Sequence, residues 1–254
     1  MAKPTLIFAP GAWYPPTAFD PVIEKLPGYR CHTVAFPSIQ QATAVQDLHS
    51  DISAVRSLVQ QEADEGHDII VVSHSWSGLP VNSALDGLGQ AEREAAGRSG
   101  GVIKLVFLAA FLPEVGQSLL GAFGGQAPEW YIHDCILKCF LQEIANTITV
   151  REPVQVLFHD VPDGGSWAQS LRPHAYVTHT TPATSAAYLH IPCSYLLCEE
   201  DRAIPLFVQE MMVESARAKG AQFEIEKVKT AHTPWLANPD MVAAYLRRQA
   251  GEIA

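Results

Sequence analysis

Short runs rich in Val, Ile and Leu recur along the chain and alternate with longer segments whose apolar residues follow helical spacing. Continuous apolar runs are typical of strands buried on both faces of a parallel sheet, and the intervening segments then form crossover helices. The six predicted strands are Thr5–Ala9, Cys31–Ala35, Asp68–Ser73, Val102–Ala110, Cys193–Cys198 and Gln222–Val228. The pattern therefore predicts an α/β fold, with a mostly parallel sheet and helices on both faces.

Apolar spacing and helix-capping residues predict three helices. Apolar residues recur every three or four positions over Val45–Val59, and Gly66 follows as a helix stop. Pro205 opens a second helix. Asn238 and Pro239 supply an N-cap and a first-turn proline for the C-terminal helix. These segments fit the crossover positions of the predicted sheet.

The regular alternation fails from about Phe111 to Ile191, where prolines, glycines and aromatic residues accumulate without a clear sheet strand. We therefore expect a single domain over residues 1–254 with a cap insertion at about 112–190 that lies over the edge of the sheet. The glycine-rich connection Asp86–Gly101 lacks both the Walker pattern and G-x-G-x-x-G, so it is predicted to be a surface loop. No nucleotide or other cofactor is expected.

Composition excludes several classes of partner. The formal net charge is −10, and the 17 Lys and Arg residues are spread along the chain, so no basic patch is available for nucleic acid or an anionic membrane. No apolar run approaches the ~20 residues of a membrane span, and the N-terminal run is too short for a signal peptide. The five cysteines, an odd number, indicate free thiols. A cytoplasmic protein is expected, with its oligomeric state left open.

A metal site is not expected. Cys135 and Cys139 are one helical turn apart and His133 is near, but no second cluster supplies the remaining ligands. The two cysteines are therefore interpreted as buried thiols of a cap helix.

The third predicted strand ends abruptly in the sequence Ser73-His74-Ser75-Trp76-Ser77. A sharp turn from strand to helix forces its central residue into a strained backbone conformation and requires small residues two before and two after it. The more familiar pattern has glycine at both flanking positions, where this chain has serine. The motif predicts that Ser75 is a nucleophile exposed at the carboxyl edge of the sheet.

A serine hydroxyl needs a base to remove its proton and an acid to orient that base. In this class of fold the chain order is nucleophile, acid, histidine, with each residue on a loop after a strand. Asp201 follows the strand Cys193–Cys198, with Glu200 as the reserve candidate, and His232 lies between the last strand and the last helix. The predicted catalytic residues are therefore Ser75, Asp201 and His232.

The remaining histidines receive other interpretations. His74 is expected to be a packing residue beside the nucleophile. The histidines of the insertion are expected at the surface or in pocket walls; they are His133, His159, His174, His179 and His190.

A tetrahedral intermediate also needs two backbone N–H donors, which this class takes from the residue after the nucleophile and from the loop after the first strand. Those residues are Trp76 and Ala12. The aromatic residues of the insertion would supply apolar pocket walls. The candidate substrate-binding residues are Trp13, Trp130 and Trp167.

The chain resembles fungal α/β-hydrolases with a "PGAW" loop, an "SHSxSG" elbow and a "YLLCExDxAIP" acid loop, and more distantly the plant methylesterase and hydroxynitrile lyase group. The similarity covers nearly the whole chain, and "AHTPWL" is a further specific part. It implies an α/β-hydrolase that acts on secondary metabolites or xenobiotics. Methylesterase relatives carry His-Gly where this chain has Pro10-Gly11, so the role of that histidine does not transfer.

Three classes of function fit these residues. The first is a cofactor-independent serine hydrolase that cleaves an ester or lactone of a small, fairly apolar molecule through an acyl-enzyme. The second is a lyase or cyclase that uses the same triad as acid and base. Cyanohydrin cleavage is disfavoured because Gly11 and Thr233 stand where the resemblance leads us to expect threonine and lysine. The third is a non-catalytic small-molecule receptor on the same fold.

Overall fold

A computed structural model describes residues 3–138 and 143–252. Its strands are β1 (Thr5–Ala9), β2 (Cys31–Thr33), β3 (Asp68–His74), β4 (Gly101–Leu108), β5 (Tyr131–Lys138), β6 (Glu143–Val150), β7 (His174–Ala175), β8 (Cys193–Cys198) and β9 (Phe223–Val228). Its helices are α1 (Asp20–Ile23), α2 (Pro37–Gln40), α3 (His49–Asp64), α4 (Gly78–Ala84), α5 (Gln90–Ala95), α6 (Leu119–Ala122), α7 (Pro153–Leu157), α8 (Gly164–Ser170), α9 (Val177–Thr180), α10 (Leu206–Ala218), α11 (Pro234–Ala237) and α12 (Pro239–Gln249).

Six strands form one parallel sheet in the order β2-β1-β3-β4-β8-β9. These are the six strands predicted from the apolar runs, with boundaries that differ by at most two residues. The inner strands β1, β3, β4 and β8 are largely continuous apolar runs because successive side chains point to opposite faces of the sheet and enter two different cores. In β1, Ile7 packs into the core on one face of the sheet, while Leu6 and Phe8 pack into the core on the other. The predicted α/β class is confirmed.

Helices cover both faces. On one face, α3 and α10 bury Val55, Val59 and Val213 against the sheet. On the other, α12 buries Tyr245 and Leu246. Among the described residues, every helix is too short or too polar to cross a membrane.

The helices predicted from the sequence are present, with small differences in their boundaries. The helix expected over Val45–Val59 begins at His49, and Gly66 follows it with a φ of +85°, a left-handed conformation that glycine adopts without strain. The Asn238 side chain accepts a hydrogen bond of 3.0 Å from the backbone N–H of Met241, as expected of an N-cap. The connection 86–101 is not wholly a loop, because it contains α5.

The insertion contains strands that the sequence reading did not predict. β5, β6 and β7 form a second, antiparallel sheet, which we call the cap sheet. Cys135 accordingly lies on a strand and not on the expected cap helix, and Cys139 lies outside the described residues. Among the described residues of the insertion, these strands pair with one another, and none of them joins the main sheet.

Gly78, the first residue of α4, allows this helix to approach the chain that leaves β4. A Cβ atom at this position would lie 1.9 Å from the carbonyl oxygen of Phe111, far inside contact distance. Gly165 in α8 is a matched control, because a Cβ atom there would meet nothing within 4 Å.

We expect Gly78→Ala to lower the free energy of unfolding by about 3 kcal/mol, because backbone must move to make room for the methyl group. Gly165→Ala should leave it unchanged or raise it by up to ~1 kcal/mol, since alanine is the better helix former. Urea unfolding of both variants measures the difference. Equal stability of the two would show that the approach at Gly78 is not tight.

Candidate active site

The turn at Ser75 connects the central strand β3 to α4. Ser75 has a φ of +54°, a left-handed conformation that is strained for any residue with a Cβ atom. A single 3-10 turn over Ser75–Ser77 follows, and α4 begins at Gly78. This is the strand-to-helix elbow that the sequence predicts, with Ser75 as its central residue.

The serines that flank the elbow do more than provide small side chains. The Oγ atoms of Ser73 and Ser77 lie 3.0 Å apart. Ser77 Oγ also accepts a 2.9 Å hydrogen bond from the backbone N–H of His74 and lies 2.8 Å from the carbonyl oxygen of Ala9 in β1. Serine in place of glycine therefore links the elbow to β3 and to β1 through buried hydrogen bonds.

The loop after β1 presses against the elbow from the other side. A Cβ atom at Gly11 would lie 2.6 Å from His74 Nδ1 and 3.0 Å from Ser75 Cβ, so only glycine fits without displacement. No backbone group of the described residues accepts a hydrogen bond from the amide of Ala12. The next residue, Trp13, has a φ of +72°.

Asp201 and His232 meet where β8 and β9 end. Asp201 Oδ2 lies 2.7 Å from His232 Nδ1, and both side chains are buried. The other carboxylate oxygen accepts hydrogen bonds of 2.7 and 2.8 Å from the backbone N–H groups of Ala203 and Ile204. An acceptor-only carboxylate places the proton on Nδ1 and leaves His232 Nε2 free to accept one. Glu200, the reserve candidate, is exposed.

His74 is fully buried, and its Nε2–H donates a 3.0 Å hydrogen bond to the carbonyl oxygen of His232. The two imidazole rings are 4.5 Å apart. Burial lowers the pKa of His74 well below its ordinary value, and the neighbouring His232 lowers it further. His74 therefore stays neutral and holds the backbone of His232 against the elbow, as a packing residue would.

A narrow crevice opens at Ser75. Its lining residues are Ala12, Trp13, Ser75, Trp76, Phe111, Leu119, Phe123, Trp130, Tyr131, Ala203 and Ile204. The lining combines the elbow, the loop after β1, the loop that carries Asp201, and the cap sheet. Apart from the serine and tyrosine hydroxyls and the indole N–H groups, it is apolar.

The structure brings most of the predicted site residues together. Ser75, Ala12, Trp76, Trp13 and Trp130 line one crevice. Within the described part of the chain no hydrogen bond joins Ser75 Oγ to His232, a contact that is often long or misaligned in unliganded sites.

Trp167 is placed elsewhere. It lies on α8, half-buried, and packs against the core on the α12 face of the sheet, outside the crevice lining.

Trp13 has a second set of contacts that sequence reasoning did not foresee. Its side chain is 3% exposed, and its indole N–H donates a 3.0 Å hydrogen bond to the carbonyl oxygen of Ile148 in β6. Its own carbonyl oxygen accepts a 2.9 Å hydrogen bond from the N–H of Arg172, just before β7. One residue of the loop after β1 thus holds two parts of the insertion.

His174 and His179 were expected at the surface or in a pocket wall, and this was wrong, because both are fully buried and neither lines the crevice. Their partners include Ser38, which is 136 residues away from His174 in the chain. No local spacing encodes a contact over that separation.

One group of acidic and histidine side chains could be mistaken for a cation site. Glu62, Glu65 and His67 offer ligand atoms within 4.8 Å of one another. Arg30 lies among them, 3.1 Å from a Glu62 oxygen, 3.3 Å from a Glu65 oxygen and 2.9 Å from His67 Nε2. The guanidinium group already supplies the positive charge that the carboxylates need.

The open parallel sheet, with a strained elbow at the end of its central strand, is the architecture of an α/β-hydrolase. A model of the alpha/beta hydrolase family matches residues 6–245. The chain is 32% identical over 257 residues to alpha/beta hydrolase nvfD of Aspergillus novofumigatus (strain IBT 16806), an alignment that covers 99% of this chain and 98% of that protein. The chain belongs to the alpha/beta hydrolase family.

Solved structures share the fold. A pyrethroid hydrolase from Sphingobium faniae JZ-2 superposes with a TM-score of 0.75 and 17% identity, over 98% of this chain and 97% of that one. Polyneuridine aldehyde esterase gives a TM-score of 0.76 and 14% identity, over 98% and 100% of the two chains. The resemblance to hydrolases of this family is confirmed.

Proposed function

We propose that this protein is a cofactor-independent serine hydrolase that cleaves an ester or lactone bond of a small, fairly apolar molecule. The observation that carries the proposal is the position of Ser75. It stands on the strained elbow in the same crevice as Ala12 and Trp76, and the loop that brings Asp201 to His232 lines this crevice too.

In the proposed reaction, Ser75 Oγ attacks the carbonyl carbon of the ester while its proton passes to His232 Nε2. The hydrogen bond from Nδ1 to Asp201 fixes the tautomer that leaves Nε2 free, and the carboxylate stabilises the imidazolium that forms. The backbone N–H groups of Ala12 and Trp76 would stabilise the oxyanion of the tetrahedral intermediate.

Collapse of that intermediate expels the alcohol, which takes the proton from His232, and leaves an acyl group on Ser75. Water, activated by the same imidazole, then releases the acid. The apolar lining supports substrates whose bulk is hydrocarbon, because it offers few partners for other polar groups. The names of the two structural neighbours, a pyrethroid hydrolase and an aldehyde esterase, are consistent with ester cleavage.

Cyanohydrin cleavage receives no support from the residue after the histidine. Thr233 is fully buried, and its hydroxyl donates to the carbonyl oxygen of Leu157 at 3.1 Å, so it is committed to packing.

The nucleophile is tested with a fluorophosphonate probe and a p-nitrophenyl ester. We expect the probe to label Ser75, and Ser75→Ala to lower kcat by about 10⁴-fold or more because no other group can form the acyl-enzyme. Ser83→Ala, a nearby buried serine outside the crevice, is the control and should keep both signals. Persistent labelling or turnover in folded Ser75→Ala would contradict the assignment.

The acid is tested by Asp201→Asn. We expect kcat to fall by roughly 10⁴-fold while the protein stays folded, because the amide favours the wrong tautomer of His232. Glu200→Gln should change kcat little, since Glu200 is exposed. If Glu200→Gln caused the larger loss, the acid would be wrong by one residue.

Trp130 and Trp167 form a pair that tests which aromatic residues contact substrate. We expect Trp130→Ala to change the ratio of kcat/KM between a long-chain and an acetate ester by about tenfold, because one apolar wall of the crevice is lost. Trp167→Ala should lower the Tm and leave that ratio unaltered. An equal effect of both variants on the ratio would place Trp167 at the substrate.

A further inference from the structure

The backbone that carries His232, the proposed base, is held by side chains. Among the described residues, no backbone carbonyl oxygen accepts a hydrogen bond from the N–H of Ala231, His232 or Thr233. Three hydrogen bonds that involve side chains hold these residues instead. One is the bond from His74 Nε2–H to the carbonyl oxygen of His232. The other two join the flanking residues, Ala231 and Thr233, to the insertion.

One short stretch of the insertion makes both of these contacts. We call residues 157–160 the anchor segment. The Thr233 hydroxyl donates to the carbonyl oxygen of Leu157 at 3.1 Å, and the backbone N–H of Ala231 donates to Asp160 Oδ2 at 2.7 Å. A hydrogen bond to a carboxylate is about twice as strong as one between neutral groups. Asp160 therefore makes the shorter and the stronger of the two contacts.

The anchor segment has a fixed position in the fold. The side chains of Leu157 and Phe158 are fully buried in the core on the α12 face of the sheet. The Phe158 ring lies 5.9 Å from the ring of Tyr14, which lies 5.4 Å from the ring of His74 beside the nucleophile. Asp160 follows two residues after Phe158, so its carboxylate is attached to a rigid part of the molecule.

The carboxylate of Asp160 serves the backbone before His232 and little else. Ala231 is the one hydrogen-bond partner that the described residues give it, because Oδ1 has none. Removal of this carboxylate therefore acts first on the position of Ala231.

The loop that carries Asp201 does not depend on the anchor segment in this way. Asp201 accepts hydrogen bonds from the N–H groups of Ala203 and Ile204 in its own loop, at 2.7 and 2.8 Å. The fully buried Gln209 of α10 also donates to Asp201 Oδ2, at 3.4 Å. The carboxylate is fixed by its own surroundings, so the geometry of the pair is set by where His232 is held.

We propose that Asp160 is a positioning residue for the base. It holds the backbone immediately before His232, so that the imidazole keeps its 2.7 Å hydrogen bond to Asp201 and presents Nε2 to Ser75. Its effect on rate rests on the proposed hydrolase function. Asp160 lies outside the crevice lining, so it acts on the reaction through His232 and not through contact with substrate.

The position of His232 is tested first in the resting protein, without any substrate. The proton that His232 Nδ1 shares with Asp201 gives a resonance far downfield of the amide protons, and its loss in Asp201→Asn identifies it. We expect this resonance to shift or broaden in Asp160→Ala, because the imidazole is no longer held at one distance from Asp201. Asp160→Asn should keep it, since the amide oxygen can still accept from Ala231.

Turnover of p-nitrophenyl acetate gives the second readout. We expect Asp160→Ala to lower kcat by about 10²-fold, the cost of misplacing a catalytic group by roughly 1 Å. KM should stay within about threefold of wild type, because Asp160 does not line the crevice. Asp160→Asn should recover kcat to within about tenfold of wild type, since a neutral hydrogen bond replaces one to a carboxylate.

Asp163→Ala is the matched control. Asp163 is an exposed carboxylate three residues further along the chain, and it accepts a 2.9 Å hydrogen bond from the Ser166 hydroxyl, remote from both catalytic loops. This variant should keep the wild-type resonance and the wild-type kcat. Circular dichroism and the Tm of every variant show that the proteins compared are folded.

The outcomes separate the two proposals. If wild-type protein cleaves no ester, but the resonance changes in Asp160→Ala and returns in Asp160→Asn, the hydrolase function fails and the positioning role stands. If folded Asp160→Ala keeps the wild-type resonance and kcat, the positioning role is overturned. It is also overturned if Asp160→Asn is as impaired as Asp160→Ala, because the hydrogen bond to Ala231 would then not be what matters.

Discussion

The left-handed backbone at Ser75 is the constraint on which the rest of the site depends. A serine in this conformation costs of order 1–3 kcal/mol, so the surrounding structure must hold it there. The carbonyl oxygen of Ser75 accepts a 3.0 Å hydrogen bond from the N–H of Phe111, and Gly78 lets α4 pack onto the same residue. Gly11 lets the loop after β1 pack against His74 on the other side of the elbow. The segments that follow β1, β3 and β4 thus all pack around Ser75 and hold it in its strained conformation.

Much of the main sheet could be predicted because its inner strands, β1, β3, β4 and β8, are buried on both faces over most of their length. The strand Thr5–Ala9 is buried at every position and apolar from Leu6 onward, and this run stands out in the sequence without any knowledge of its partners. The elbow could also be predicted from the sequence, since its geometry restricts the residues that flank Ser75. The pairing of Asp201 with His232 followed from chain order, although their catalytic roles, with those of Ala12 and Trp76, stay predictions.

The cap sheet could not be predicted in the same way. β5 and β6 pair with each other away from the main sheet, so their composition is mixed and their stability depends on cross-strand contacts. The buried positions of His174 and His179 were missed for a related reason. A histidine looks like a surface residue until its distant partners are known, and these come from α2 and the cap sheet.

Trp13 gives the cap a mechanical connection to the proposed oxyanion site. Its indole N–H is bonded to β6 and its carbonyl to Arg172, while its amide nitrogen belongs to the peptide that joins it to Ala12. A ligand that displaces β6 therefore also pulls on Ala12, whose own N–H lies in the next peptide unit, between Gly11 and Ala12. A substrate that fits poorly beneath the cap would then displace the Ala12 N–H from the position in which it stabilises the oxyanion. Such a substrate would react more slowly in the chemical step as well as bind more weakly.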